Sequence, residues 1–214
     1  MPTPPLHQLL LRRSFGTRGA RGHGWYQNYR AGKGGRHLQG EYFDRPTDCL
    51  DWNAKILQLG STRAYLDISV ESRNEEATQL EEHRLYMNLA SAVLPESTAH
   101  FLSLAPGGSL HRKEANVGWL SSHESIARTP IHNDPWVLWH QPGTISLVVQ
   151  HVAHVDDRWL LATHAAPHLD GIHRAIGQLE SESLERVLEW SRSLLTFQGR
   201  PTNVQLTIRG VGEA

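Results

Sequence analysis

The chain has almost no cysteine: Cys49 is the one thiol in 214 residues. That excludes an internal disulfide and any zinc site built from several cysteines. Cys49 stands in the run Asp48-Cys49-Leu50-Asp51, where neighbouring carboxylates disfavour a thiolate, so a packed, idle thiol is expected. Long apolar runs are missing as well. Stretches such as Leu9–Leu11 and Trp136–Trp139 fall far short of the roughly 18 residues that a membrane-crossing helix needs. Four catalytic patterns are absent: G-x-S-x-G, G-x-x-x-x-G-K-[ST], G-x-G-x-x-G after a strand, and H-E-x-x-H. Their absence removes the usual sequence grounds for an α/β-hydrolase, a P-loop nucleotide site, a dinucleotide fold or a zinc protease. Acids, finally, are absent from the first 40 residues, which hold seven Lys or Arg. The remainder holds 14 basic against 22 acidic residues, a net of −8, so a basic arm precedes a mildly acidic body.

What is present fits one domain with an extension. A body of this size buries enough core to be stable without disulfides or a structural metal. Its 39% apolar and 20% charged residues describe a globular chain. Met1–Gly22 is rich in Arg and Leu and free of acids, the composition of an organelle presequence, and predicts a mitochondrial address with a cytoplasmic one as the alternative. Glycine is dense from Gly16 to Gly40, which argues against an ordered core segment there. Arg18, Arg21, Arg30, Lys33 and Arg36 are interleaved with Trp25, Tyr26 and Tyr29. Three readings of that arm stand side by side: a presequence followed by a segment draped over its own body or a neighbour, a plain tail, or a contact that tracks a nucleic-acid backbone and stacks on bases. Residues 41–62 have no clean period and read as connecting structure. The organisation expected is therefore an arm and connector over residues 1–62 and a domain over residues 63–214.

From Arg63 the pattern is readable. Ala64, Leu66, Ile68 and Val70 alternate as on a half-buried strand. The next stretch fits either one helix, with Leu80, Met87 and Leu94 on a stripe, or a strand with Leu85, Met87 and Leu89 inward. Pro95 suits the first turn of a helix whose stripe would be Ala99, Leu102 and Ala105, ended by Pro106-Gly107-Gly108. Residues 113–129 have no clear period, and Trp119 reads as a loop tryptophan. Trp136–Val149 reads as two short strands around His140-Gln141-Pro142-Gly143. Trp159–Leu161 is an apolar strand, Asp170-Gly171 a strong turn signal, and a second strand leaves from His173. Ser181–Gln198 reads as an amphipathic helix carrying Leu184, Val187, Leu188, Leu194 and Leu195. Asn203–Arg209 reads as a closing strand with Val204, Leu206 and Ile208 on one side.

Thr163, Pro167, His168, Leu169, Asp170, Gly171, His173 and Gly177 form the pattern T-x-x-x-P-H-L-D-G-x-H-x-x-x-G. In this the chain resembles the cyclophilins, the peptidyl-prolyl cis/trans isomerases. Weaker matches come in the family's order: Arg84, Leu85 and Leu89; Pro95, Ser97 and Phe101, with His100 in place of an asparagine; Gly108-Ser109-Leu110-His111-Arg112; and the segment around His140 and Pro142-Gly143. The resemblance covers about Arg63–Gly212. It implies a mainly β fold, an eight-stranded antiparallel β-barrel capped by two helices, and it settles the ambiguous stretch in favour of a strand. The linker from Ser72 to Glu82 is then an insertion or a short extra helix.

Rotation about an X-Pro bond faces a barrier of roughly 18–20 kcal/mol, because it breaks amide resonance. Catalysis needs an apolar proline pocket and a donor aimed at the twisted bond, but no nucleophile. The resemblance implies Arg112 as that donor and places the pocket at Val117, Leu120, Val149, Arg158, Leu160, His168, Leu169 and His173. Arg112, His168, Leu169 and His173 are kept. The family's asparagine and glutamines are lost, and Arg158 brings a charge that must find a partner. Histidine is the commonest metal ligand, and seven of 14 histidines lie between His132 and His173. His151, His164 and His168 would share a zinc only if their strands pair closely. The resemblance explains His140, His168 and His173 without metal, so no metal and no cofactor are expected. Two functions follow. One is a non-catalytic subunit that serves as an interaction module among the protein subunits of a larger complex. The other is an active or weakly active isomerase that takes a proline-containing peptide through Arg112. A nucleic-acid partner, held by the arm, is a third.

Overall fold

The alternation that starts at Ala64 builds a long strand, β1 (Thr62–Arg73), with Ala64, Leu66, Ile68 and Val70 all buried. In the computed structural model the described residues are 47–73, 78–104, 107–113, 118–122, 127–151, 154–193, 196–197, 200–201 and 204–214. The arm and its readings lie outside them. Strand β2 (Thr78–Leu89) pairs with β1 in one unbroken register from Thr62↔Leu89 to Arg73↔Thr78, with Leu85, Met87 and Leu89 inward. The strand reading of this stretch holds. Where it is described, the segment 72–82 is strand and not an extra helix, because both strands of the hairpin run on to Arg73 and Thr78.

The remaining strands are β3 (Ser109–Lys113), β4 (Gly118–Ser122), β5 (Arg128–Pro130), β6 (Thr144–His151), β7 (His154–Ala162), β8 (Arg174–Leu179), the two-residue β9 (Thr196–Phe197) and β10 (Arg200–Pro201), and β11 (Val204–Glu213). Their order is β4-β3-β11-β1-β2-β8-β6-β7, and β7 pairs back onto β4, closing an eight-stranded antiparallel barrel. Strand β5 continues along the same edge of β7 beyond β4, and β9 and β10 form a small separate ribbon. The closing seam consists of Gly118↔Ala162, Trp119↔Leu161 and Leu120↔Leu160. Gly118 is required there: its φ is +150°, and a Cβ would sit 1.8 Å from the Leu161 carbonyl oxygen. Gly177, the last glycine of the PHLDG pattern, has a similar reason, since a Cβ would meet the Asn88 carbonyl oxygen at 2.4 Å where β8 crosses β2.

The core fills the barrel and is capped by helices. Helix α2 (Pro95–Leu102) contributes Phe101, whose ring meets Trp159 edge-on at 6.0 Å. Its buried face is Ser97, Thr98 and Phe101, whereas Ala99 is exposed and Leu102 only half-buried; Ala105 and Pro106 lie outside the described residues. The polar pair goes inward because Asp134 holds the helix start, accepting from Glu96 N and, at 2.6 Å, from Ser97 N. Helix α3 (Ser181–Ser193) buries Val187 and Trp190. It stops short of Gln198, since Thr196 and Phe197 already pair with Arg200 and Pro201; Leu194, Leu195 and Asn203 lie outside the described residues. Trp119 is not a loop residue. It is fully buried on β4, its indole N–H donating to Ser191 Oγ of α3.

A third helix, α1 (Cys49–Gln58), occupies the segment read as connecting structure. The Asp48 carboxylate caps it by accepting from Asp51 N, and it buries Cys49, Asn53 and Ile56. Its polar side chains explain why Trp136–Trp139 is not a strand. Trp52 Nε1 donates to Val137 O at 2.8 Å, and Asn53 both donates to Trp139 O and accepts from Trp139 N. Backbone groups that a neighbouring strand would take are thus bonded to a helix instead.

Candidate functional site

The wall formed by β3, β4, β7 and β6, with the loop from Thr163 to His173, gathers most of the residues singled out in the sequence. Leu120 on β4 stands directly opposite Leu160 on β7. Behind them the loop turns through one 3-10 turn, Pro167–Leu169, which presents Leu169. Leu120, Leu160, Ala166 and Leu169 form an apolar cluster of their own, separate from the barrel core. Leu160 is 0% and Leu169 5% exposed, so this cluster is filled, not a cleft with an accessible floor.

Val149 and His173 also meet. Val149 N points at His173 Nδ1 at 3.4 Å, tying β6 to the end of the loop. His168 is half-buried in the turn itself. Arg112 lies in β3, its backbone opposite Trp119, while His111 is opposite Leu120. Val117 and the Arg112 side chain lie outside the described residues.

Arg158 does find its partner. Its Nη2 and Nε donate to Asp156 Oδ2 at 2.6 and 3.1 Å, and its backbone N–H donates to Oδ1 at 2.9 Å. Gln150 Nε2 donates to the same Oδ2 at 3.0 Å. The Asp156 side chain is wholly buried, and four charge-assisted or polar donors on one carboxylate are what a buried charge needs. His100 reaches the same corner: its Nε2 lies 3.3 Å from Asp156 O and 3.8 Å from Asp157 Oδ1. The polar side chains at this end of the wall are bonded to one another.

One constellation was not read from the sequence. His140 Nδ1 lies 2.8 Å from Asp170 Oδ1, and His140 Nε2 lies 3.1 Å from Ser146 Oγ. The order Ser–His–Asp is that of a hydrolytic triad. Here all three residues are buried, Ser146 inside strand β6, and Asp170 Oδ1 also accepts from His140 N at 2.8 Å. Buried in this way, the arrangement acts as a clamp. It holds the PHLDG loop against the segment before β6, helped by Ala166 N donating to His140 O. Its members are six and 30 residues apart, so no local motif announces them.

A second buried charge lies beside it. Arg174, at the start of β8, is 3% exposed; its guanidinium donates to Asp134 O and lies 4.7 Å over the Trp136 ring. Burial pushes this guanidinium pKa down, and the Asp134 and Glu96 carboxylates oppose that fall. Glu96 is held below the usual carboxylate range, chiefly by the Asn133 side-chain hydrogen bond and then by the His132 and Asn133 backbone N–H groups.

Among the described residues no group of three or more His, Cys, Asp or Glu is arranged to hold a metal ion, and no helix is long and apolar enough to cross a membrane. No family model matches the chain, and no curated protein matches it.

Proposed function

We propose that this barrel is a cyclophilin-like, non-catalytic subunit that serves as an interaction or assembly module in a larger complex, with a mitochondrial address. The likeness is supported by the closed eight-stranded barrel and by the PHLDG loop between β7 and β8. The observation that carries the loss of catalysis is the state of the pocket positions. Leu160 is sealed by Leu120, Ala166 and Leu169, and Arg158 is bound to the buried Asp156 together with Gln150. A prolyl isomerase needs an apolar recess that admits a proline ring and polar groups left over for the substrate backbone. In this wall the apolar groups fill their own recess and the polar groups satisfy each other.

The test is prolyl isomerisation of a short X-Pro peptide by the folded protein, with Arg112→Ala as control, alongside native-gel migration in extract. The expected result is no acceleration over the uncatalysed rate and migration with a large assembly. Acceleration that disappears in Arg112→Ala overturns the non-catalytic reading and assigns Arg112 as the donor. Migration as a free monomer overturns the assembly role.

A further inference from the structure

Strand β2 is covered unevenly along the edge that faces away from β1. Met87, Asn88 and Leu89 pair with β8. At Tyr86 the edge is taken by α3: Ser183 Oγ accepts from Tyr86 N at 2.7 Å, and Glu180 N donates to Tyr86 O at 2.9 Å. Alternate residues of an antiparallel strand turn their N–H and C=O groups to opposite neighbours, and the β1–β2 register is unbroken. Arg84, Glu82 and Leu80, in phase with Tyr86, therefore direct their backbone groups away from β1. Among the described residues no strand pairs with that stretch.

An open edge is a template for another extended segment. Two features say what kind. Leu80 is 56% exposed, one of three large apolar side chains so placed among the described residues. From Glu71 to Glu82 the sequence carries five glutamates against one arginine, and the Glu81 side chain is 66% exposed. The edge thus suits a basic strand with apolar or aromatic residues. That composition is found in the same chain, whose first 40 residues have seven Lys or Arg and no acid.

We propose that the open edge of β2 from Leu80 to Arg84 is the docking site of this chain's own arm, with Trp25-Tyr26-Gln27-Asn28-Tyr29-Arg30 added as a further strand. Aromatic residues favour strand pairing, and Trp25, Tyr26 and Tyr29 supply the surface that Leu80 lacks. Arg21, Arg30 and Lys33 bring the charges that Glu81 and Glu82 attract. The reach is sufficient. Residues 29–48 span up to about 65 Å when extended. The path along α1, about 15 Å, and back along β2 from Leu89 to Leu80, about 30 Å, is shorter. This inference does not depend on whether isomerase activity survives.

Amide hydrogen exchange, read by NMR on the full chain at low salt, tests it. The Leu80, Glu82 and Arg84 amides are expected to exchange at least tenfold faster when residues 1–40 are deleted, when Trp25, Tyr26 and Tyr29 are all changed to Ala, and in Glu81→Lys with Glu82→Lys. Raising the salt should give the same loss. The triple alanine variant leaves the barrel untouched, so misfolding cannot imitate the effect. Equal exchange rates in the full and shortened chains overturn the proposal. So does protection that grows with protein concentration alongside a dimer mass, which assigns the edge to a second copy's arm. Protection seen only after single-stranded nucleic acid is added overturns it too, since the arm then binds elsewhere.

Discussion

The β6–β7 wall and the β1–β2 hairpin are both antiparallel pairs of the same barrel, yet they dispose of their polar groups in opposite ways. On β6–β7, Arg158 and Gln150 turn onto an aspartate with no exposed surface, and the apolar residues of the same face close over one another. On β1–β2 the cations stay outside. Arg84 pairs with Asp67 across the hairpin and lies 4.1 Å over the Tyr65 ring, while Arg63 pairs with Glu180 and lies 4.1 Å over Tyr86. These pairs are half-exposed, where ion pairs contribute little to stability. The Asp67 hydrogen bond holds the Arg84 guanidinium pKa above its ordinary value. One wall has spent its polar chemistry on itself, and the other has left it facing solvent. A partner is therefore better sought at the hairpin than at the closed wall around Leu160.

The sharpest way to break this contrast is to remove the acceptor on which the closed wall depends. Asp156→Ala strands Arg158 and Gln150 without their carboxylate, and a loss of about 3 kcal/mol is expected. Urea unfolding followed by tryptophan fluorescence reads it; a loss within about 0.5 kcal/mol, the range of ordinary surface changes, would mean that the network is incidental. The next effect is smaller. Leu160→Phe puts a larger ring at a site with no exposed surface, and overpacking should cost about 1–3 kcal/mol. A neutral result in the same urea assay would reveal room for a ring and revive the pocket. Smallest of all is Leu80→Lys on the hairpin, expected to change stability by no more than about 0.5 kcal/mol. A melting curve lowered by several degrees would show that Leu80 is structural after all.

Much of the barrel was legible because its strands obey a period of two wherever one face is buried. Ala64, Leu66, Ile68 and Val70, then Leu206 and Ile208, announced their side of the sheet correctly. Three misreadings share one cause, namely polar side chains that bond to distant backbone. Trp136–Trp139 has strand composition, but its carbonyls are claimed by Trp52 and Asn53, more than 80 residues earlier. Helix α2 turns Ser97 and Thr98 inward because Asp134 anchors its start from outside the helix. Helix α1 itself shows no clean apolar stripe, since one of its buried residues is Asn53. At the candidate site the sequence gives the positions Leu120, Leu160 and Leu169 but not their closure. Closure depends on a loop folding back, and Asp170 is fastened by His140 rather than by anything near it in the chain.

Strand β11 lies between β3 and β1. Its first residue, Val204, is made some 130 residues after the end of its partner β1, at Arg73. Until then a growing chain can form the β1–β2 hairpin and the β6–β7 pair, but not a closed ring. The edge of β1 that β11 will take stays available meanwhile to any passing strand. Closure is thus a late, all-at-once event of high sequence separation, which places this protein among slow folders whose dangerous interval is synthesis rather than the finished state.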